Sequence, residues 1–286
     1  MEHIIKSLTP IALLVAGAVV FVLGTAFLIA SDATLSPSSL GASSDLAQAG
    51  RWLQFLAEAC ALGAVCTAGW ELILRSEWAA AAEVAAAALG ILLLAIGLIS
   101  SAASNGSSPA GPVTGAVGIG IWALLVLSRA ARASLGEQGP AHEAAQGTGT
   151  AAPAGQGGYR RQADLWLSAA IGLFVLAIGY GLTAAPGSRG AGVASGLLEA
   201  VGVAALAGSA AAARSRGLLR SRPVPSALTG LVILTVSFLA AAIVAGLAFG
   251  TLTALGAGLA VVTAVELAGV AALGLAAWTR VRELYR

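Results

Sequence analysis

Five glutamates stand inside stretches of the sequence that otherwise consist almost entirely of apolar residues. They are Glu58, Glu71, Glu83, Glu199 and Glu266. A charged side chain at the centre of a bilayer costs about 2.5–3.5 kcal/mol on insertion scales, so it normally faces protein or water. Carboxyl groups in such places can bind cations, exchange protons or hydrogen-bond to neighbouring helices. These five residues are therefore the first candidates for a functional site.

Two of the five glutamates have a simpler explanation. Glu71 lies one helical turn before Arg75, and Glu83 lies five residues after the start of an apolar stretch. Long charged side chains close to a membrane surface extend toward water. We therefore expect Glu71 and Glu83 to reach the surface or to pair with arginine, and we exclude them from the candidate site.

The other three glutamates are predicted to share one depth in the membrane. Glu58, Glu199 and Glu266 precede the next arginine along the chain by 17, 15 and 14 residues. At 1.5 Å per residue, these spacings place all three roughly 21–26 Å from a common basic collar. We expect no basic residue at that depth, so the carboxyls should be neutral and hydrogen-bonded, or should line a wet cavity. The sequence thus predicts a layer of three glutamates.

Glycines at steps of three and four residues surround these acids, which favours a packed helix face over a lipid-facing one. Such small-residue stripes let helix backbones approach closely. The glycines predicted to pack helices together are Gly192, Gly196, Gly202, Gly269, Gly111, Gly115 and Gly118. Two interpretations of the glutamates remain open. They form a shared site that binds a cation or relays protons, or each is a neutral hydrogen-bonding residue between helices.

The elements that must position these residues are membrane helices. Of the 286 residues, 58% are hydrophobic and only 10% are charged, against about 25% charged in a soluble domain. About 20 apolar residues are needed to cross a bilayer. Eight stretches qualify, at about 9–30, 51–75, 78–101, 111–133, 162–184, 190–213, 225–249 and 252–279. We predict an all-α integral membrane protein with eight transmembrane helices, separated by loops that include 31–48.

The distribution of basic residues predicts the orientation of the helices. If the N-terminus is cytoplasmic, only Arg51 and Arg189 of the fifteen Lys and Arg residues fall on the outer side. Loops rich in Lys and Arg stay in the cytoplasm, so this asymmetry favours that arrangement. We predict a multi-pass protein of the cell membrane with both termini in the cytoplasm.

A segment without hydrophobic periodicity divides the chain into two halves. Residues 137–158, which consist mainly of Gly, Ala, Gln and Pro, are typical of a flexible linker, here cytoplasmic. The halves 1–136 and 159–286 each contain four predicted helices and echo each other, as in LAEA at 56–59 and LLEA at 197–200. We predict an internal duplication that forms two parallel four-helix repeats.

Other kinds of chemistry lack their residues in this sequence. There is no nucleophile beside an intramembrane His, no phosphate-binding loop and no facing His or Cys pairs that would hold a metal. We therefore expect no enzymatic activity, no cofactor, no metal and no nucleic-acid partner. Asp32 and Asp45 fall in the predicted outer loop, where we expect ordinary solvated side chains.

Two functions fit these observations. The first is a small transporter in which Glu58, Glu199 and Glu266 bind a proton or cation coupled to the movement of a solute. The alternative is a non-catalytic integral subunit that scaffolds a larger membrane complex. The predicted partners are the lipid bilayer and, for either function, other membrane subunits or further copies of the chain.

Overall fold

The computed structural model describes residues 2–36, 38–74, 78–104, 108–136, 156–184, 189–216, 224–248 and 251–284. Within these ranges the chain is helical apart from short turns, and it contains no strand. The predicted all-α fold is confirmed. The predicted linker at 137–158 lies outside the described residues, except that 156–158 belong to the following helix.

Eight long helices are described, and they follow one another along the chain in alternating directions. In order they are α1 Glu2–Ala33, α2 Leu40–Leu74, α3 Trp78–Ala103, α4 Ala110–Gly136, α5 Gln156–Leu182, α6 Arg189–Ser215, α7 Val224–Leu247 and α8 Leu252–Leu284. We call the side at which α1 begins the near face and the side at which α1 ends the far face. The start of α1 and the end of α8 both lie on the near face.

Seven of these helices, all except α2, are long and apolar enough to cross a membrane, so the protein is a multi-pass membrane protein. The 35-residue α2 lies alongside α1 over a comparable distance. It contacts α1 from Ser43, which accepts a hydrogen bond from Ser31, to Gly63, which packs near Leu13. Twenty helical residues span about 30 Å, the thickness of the hydrocarbon layer, so α2 is long enough to be the eighth crossing.

The helices form a closed ring. Each one packs against the helices before and after it in the chain, and α1 also packs against α8. Apart from these neighbouring pairs, no two described helices have Cα atoms within 8 Å of each other. No described helix therefore lies inside the ring. Residues 2–136 and 156–284 form opposite sides of the ring, an order compatible with the predicted duplication, which stays a prediction.

Glycines occupy the seams between neighbouring helices. A Cβ added to Gly202 of α6 would lie 2.7 Å from the carbonyl oxygen of Gly172 on α5, and one on Gly118 of α4 would lie 2.7 Å from that of Gly90 on α3. All seven glycines singled out in the sequence face a neighbouring helix in this way: Gly111, Gly115, Gly118, Gly192, Gly196, Gly202 and Gly269. In a bilayer, where burial away from water no longer drives helices together, such close approach is a main source of packing energy.

The predicted boundary between the first two helices was wrong. The sequence indicated a loop over 31–48, but α1 continues to Ala33 and α2 already begins at Leu40. The polar residues of this segment form helix because they pair across the two helices. The Ser31 hydroxyl donates to the backbone carbonyl of Ser43 at 2.7 Å, and both side chains are buried. Hydrogen bonds between buried polar groups thus extend both helices beyond the apolar stretches.

At the near face, Glu83 of α3 forms ion pairs with two arginines of α4. Its carboxylate lies 2.6 Å from a guanidinium nitrogen of Arg129 and 2.6 Å from one of Arg132. The Arg129 guanidinium also lies 5.7 Å from the ring centroid of Trp166 on α5. The expected pairing of Glu83 with arginine is confirmed, while the Glu71 side chain and Arg75 lie outside the described residues.

Candidate functional site

Glu199 lies on the inward face of α6. The exposed residues of this helix recur every three or four positions, as at Leu197, Val201 and Gly208, and form one stripe. Glu199 is turned about 200° from Leu197 and so lies opposite the stripe. Its side chain is 8% exposed, and the Ser195 hydroxyl donates a hydrogen bond to its Oε1 at 3.2 Å. The carboxyl therefore points into the ring.

Glu266 occupies the equivalent face of α8. The exposed stripe of this helix runs through Ala257 and Val261, and Glu266 lies away from it. Its carboxyl is close enough to interact with the hydroxyl of Ser237 on α7, which is 0% exposed and also donates to the carbonyl oxygen of Val262 at 3.1 Å. Glu266 and Glu199 also lie within electrostatic range of each other.

Glu58 of α2 joins this group through a residue that the sequence analysis did not identify. Tyr180 of α5 lies within electrostatic range of both Glu58 and Glu199. Because α2 and α5 are not neighbours in the ring, Glu58 and Tyr180 must both extend into its interior. Among the described residues, the buried Oε2 of Glu58 has no hydrogen-bond partner.

The expectation that Asp32 is a solvated loop residue was wrong. Asp32 lies in the last turn of α1 and is only partly exposed. Its Oδ2 accepts a hydrogen bond from Thr263 of α8 at 3.5 Å, and its carboxyl lies within electrostatic range of both Glu266 and Arg51. The closure of the ring between α1 and α8 thus brings Asp32 to the site. Asp45 is exposed, as expected.

Five ionisable side chains therefore form a continuous series in the ring, which we call the acidic chain. In the order of their electrostatic interactions they are Asp32, Glu266, Glu199, Tyr180 and Glu58. In the described part of the protein, Arg51 beside Asp32 is the one basic residue that interacts with the series, and no ion pair neutralises the three glutamates. Neighbouring acids without counter-charges are stable in an apolar interior when they share protons or bind a cation.

The side chains of the acidic chain are arranged as a series and not as one compact group. Among the described residues, no three His, Cys, Asp or Glu side chains are grouped closely enough to hold a metal. A cation such as Ca²⁺ takes six to eight oxygen ligands from one compact site. A proton needs only one acceptor at a time, so a series of separated carboxyls can pass it on.

Tyr180 and Asp32 each carry a signal that could have been recognised in the sequence. Tyr180 is the only tyrosine inside a predicted crossing, and Asp32 follows the first apolar stretch by only two residues. Neither signal reveals the partner, because the partner of each residue lies on a helix distant in sequence.

No protein-family model matches the chain, and comparison with curated proteins and with solved structures finds no match either. The geometry of the acidic chain is therefore the basis on which a function can be assigned.

Proposed function

We propose that the protein is a small transporter driven by protons or another cation, and that the acidic chain carries the coupling ion. The observation that supports this most strongly is the series of five ionisable groups directed into a closed helical ring. Structural hydrogen bonding requires only one polar partner per carboxyl. It does not require acids on α1, α2, α6 and α8 to form one series that includes a phenol.

Of the possible coupling ions, the arrangement favours the proton. Each carboxyl can be neutral when protonated and so avoids the cost of a charge in hydrocarbon. Ser195 beside Glu199 and Ser237 beside Glu266 supply hydroxyl groups that interact with either protonation state. Binding or release of a proton changes the local charge, and such a change can be coupled to a rearrangement of the helices.

A liposome assay tests this proposal. The purified protein is reconstituted with a pH-sensitive dye inside the vesicles, and a potassium diffusion potential drives protons inward. We expect proton entry faster than in protein-free liposomes, and a loss on the order of 100-fold in the variants Glu58→Gln, Glu199→Gln and Glu266→Gln, since each removes a proton-transfer group.

The matched control is Glu83→Gln, which removes a carboxyl from a membrane helix but lies outside the acidic chain. It should retain wild-type flux. The transporter proposal would be contradicted if liposomes with the wild-type protein showed no faster flux than protein-free liposomes under proton, sodium and potassium gradients alike.

The alternative of a scaffold subunit predicts a different result. A scaffold would be isolated in mild detergent with other membrane proteins at fixed stoichiometry, and its reconstituted form would conduct no ions. Native mass measurement of the detergent complex therefore separates the two functions. A particle containing only this chain, together with ion flux, excludes the scaffold.

We also infer that the near face is cytoplasmic and that the protein resides in the cell membrane. The inference rests on the described basic residues, of which all but Arg51 and Arg189 belong to the near-face side of the helices. A reporter fused to the C-terminus that is active only in the cytoplasm should be active. If that reporter is inactive, and a C-terminal reporter that is active only outside the cytoplasm is active instead, the near face is not cytoplasmic.

A further inference from the structure

The ring of Tyr180 packs against Gly115 of α4, where no larger residue would fit. A Cβ added to Gly115 of α4 would lie 2.5 Å from Cε1 of Tyr180 and 3.3 Å from Cζ. Ordinary van der Waals contacts begin at about 3.4 Å, so a larger residue at position 115 would displace the ring. The glycine therefore leaves room for the hydroxyl end of the tyrosine ring, whose Cε1 and Cζ lie against α4.

The same turn of α5 contacts Glu199. A Cβ on Gly179 would lie 2.9 Å from both Cγ and the backbone nitrogen of Glu199, so Tyr180 directly follows a point of close contact with α6. The phenol also lies within electrostatic range of Glu58, on the other side of the ring. Among the described residues, Tyr180 is the one ionisable group that interacts with both carboxyls.

Glu58 is otherwise isolated. Its Oε2 is buried without a hydrogen-bond partner in the described structure. A buried polar atom of this kind normally binds a protein group or an ordered water, and a buried water needs two to four polar partners. The carboxyl of Glu58 and the phenol of Tyr180 supply two.

From this geometry we propose that Tyr180 relays protons between Glu199 and Glu58, with one ordered water bridging the phenol and the Oε2 of Glu58. This inference rests on the proposed function of the acidic chain. A phenol suits the role because its oxygen both donates and accepts a hydrogen bond, which an ionised carboxylate cannot do.

The transfer is balanced within these groups. No direct hydrogen bond joins Glu199 to the phenol in the described structure, so the protonated Glu199 gives its proton to a second water, which gives one of its protons to the phenol oxygen. The phenol gives its own proton to the bridging water, and that water gives one of its protons to the Glu58 carboxylate. Tyr180 and both waters end neutral, and the net change is one proton moved from Glu199 to Glu58. Since the steps are concerted, no tyrosinate forms.

The test is Tyr180→Phe, which removes the hydroxyl but keeps the ring that packs on Gly115. In the liposome assay we expect proton flux to fall on the order of 100-fold, to the level of Glu58→Gln. The control Ser168→Ala removes a hydroxyl from the same helix, where it bonds to Ser209 at 2.9 Å outside the acidic chain, and should keep wild-type flux.

Infrared spectroscopy of the same samples separates a relay from a packing role. The carbonyl band of protonated Glu58 is assigned by its loss in Glu58→Gln. It should shift in Tyr180→Phe, because the hydrogen-bonded water loses one of its partners, and should be unchanged in Ser168→Ala. Loss of flux together with this shift supports the relay.

Two results would overturn the relay. One is wild-type flux in Tyr180→Phe, and the other is loss of flux without a shift of the Glu58 band. Neither resembles failure of the proposed function, which would appear as the lack of flux in the wild-type protein itself.

Discussion

The replacement Gly202→Ala tests whether close glycine contacts hold the ring together. The added Cβ would lie 2.7 Å from the carbonyl oxygen of Gly172 and 2.8 Å from the backbone nitrogen of Leu176. Normal contact begins at 3.4 Å, so α5 and α6 must separate by about 0.7 Å, the difference between 3.4 and 2.7 Å. Neither obstacle is a flexible side chain that could move aside.

The cost follows from two contributions. Overpacking typically costs about 1–3 kcal/mol, and loss of a close Cα–H···O contact adds about 0.5–1 kcal/mol. Alanine also favours helix over glycine by about 0.8–1.0 kcal/mol, which opposes the effect. The control Gly208→Ala, on the same helix, carries the same propensity change, but its Cβ would meet no atom within 4 Å. The difference between the two variants isolates the seam and should be about 1.5–4 kcal/mol.

Reversible unfolding in mixed micelles measures this difference. Helix content is followed by circular dichroism as the mole fraction of denaturing detergent rises, for both variants under identical conditions. A difference of 1.5–4 kcal/mol corresponds to a factor of about 10 to 700 in the unfolding equilibrium constant, because about 1.4 kcal/mol is tenfold. If Gly202→Ala and Gly208→Ala unfold at the same detergent fraction, the close seam does not stabilise the ring and the packing argument fails.

Two further substitutions test the site and its surroundings. Gly115→Ala should lower proton flux at least about tenfold, because its Cβ would displace the phenol ring and with it a proton-transfer group. The control Gly120→Ala, on the same helix, should not lower the flux, because its Cβ would meet nothing within 4 Å. Equal fluxes in the two variants would contradict the placement of the ring. Glu83→Gln should lower the free energy of unfolding by about 1 kcal/mol, since its two ion pairs are partly exposed, while flux stays unchanged. Reduced flux in Glu83→Gln at wild-type stability would extend the functional site to the near face.

Much of the fold could be predicted from the sequence because membrane helices have a simple signature. Long apolar stretches set the number of helices, and glycines at steps of three and four residues indicated which faces pack. The inward direction of Glu199 could be anticipated from Gly192 and Gly196, which precede it at steps of four and three residues on the same face. These features depend only on the periodicity within one helix, so they can be read from the sequence of that helix alone.

The parts that could not be predicted depend on contacts between distant segments. Asp32 looked like a loop residue because its partner Thr263 is 231 positions away and is reached only when α1 packs against α8. Tyr180 looked like an ordinary apolar-segment residue because Glu58 comes near it only across the interior of the ring. The early start of α2 was missed because residues 31–48 were interpreted as a loop, although Ser43 in that segment pairs with Ser31 of α1.

The central claim is that Glu58 and Glu199 belong to one proton path, and flux through the double variant Glu58→Gln/Glu199→Gln tests it most directly. Once one step of a single path is blocked, blocking a second step of the same path reduces the flux no further. The double variant should therefore conduct protons at the same residual rate as the slower single variant, measured in liposomes with equal protein content. If the two losses multiply instead, or if either single variant conducts as well as the wild type, the glutamates do not form one path and the account is contradicted.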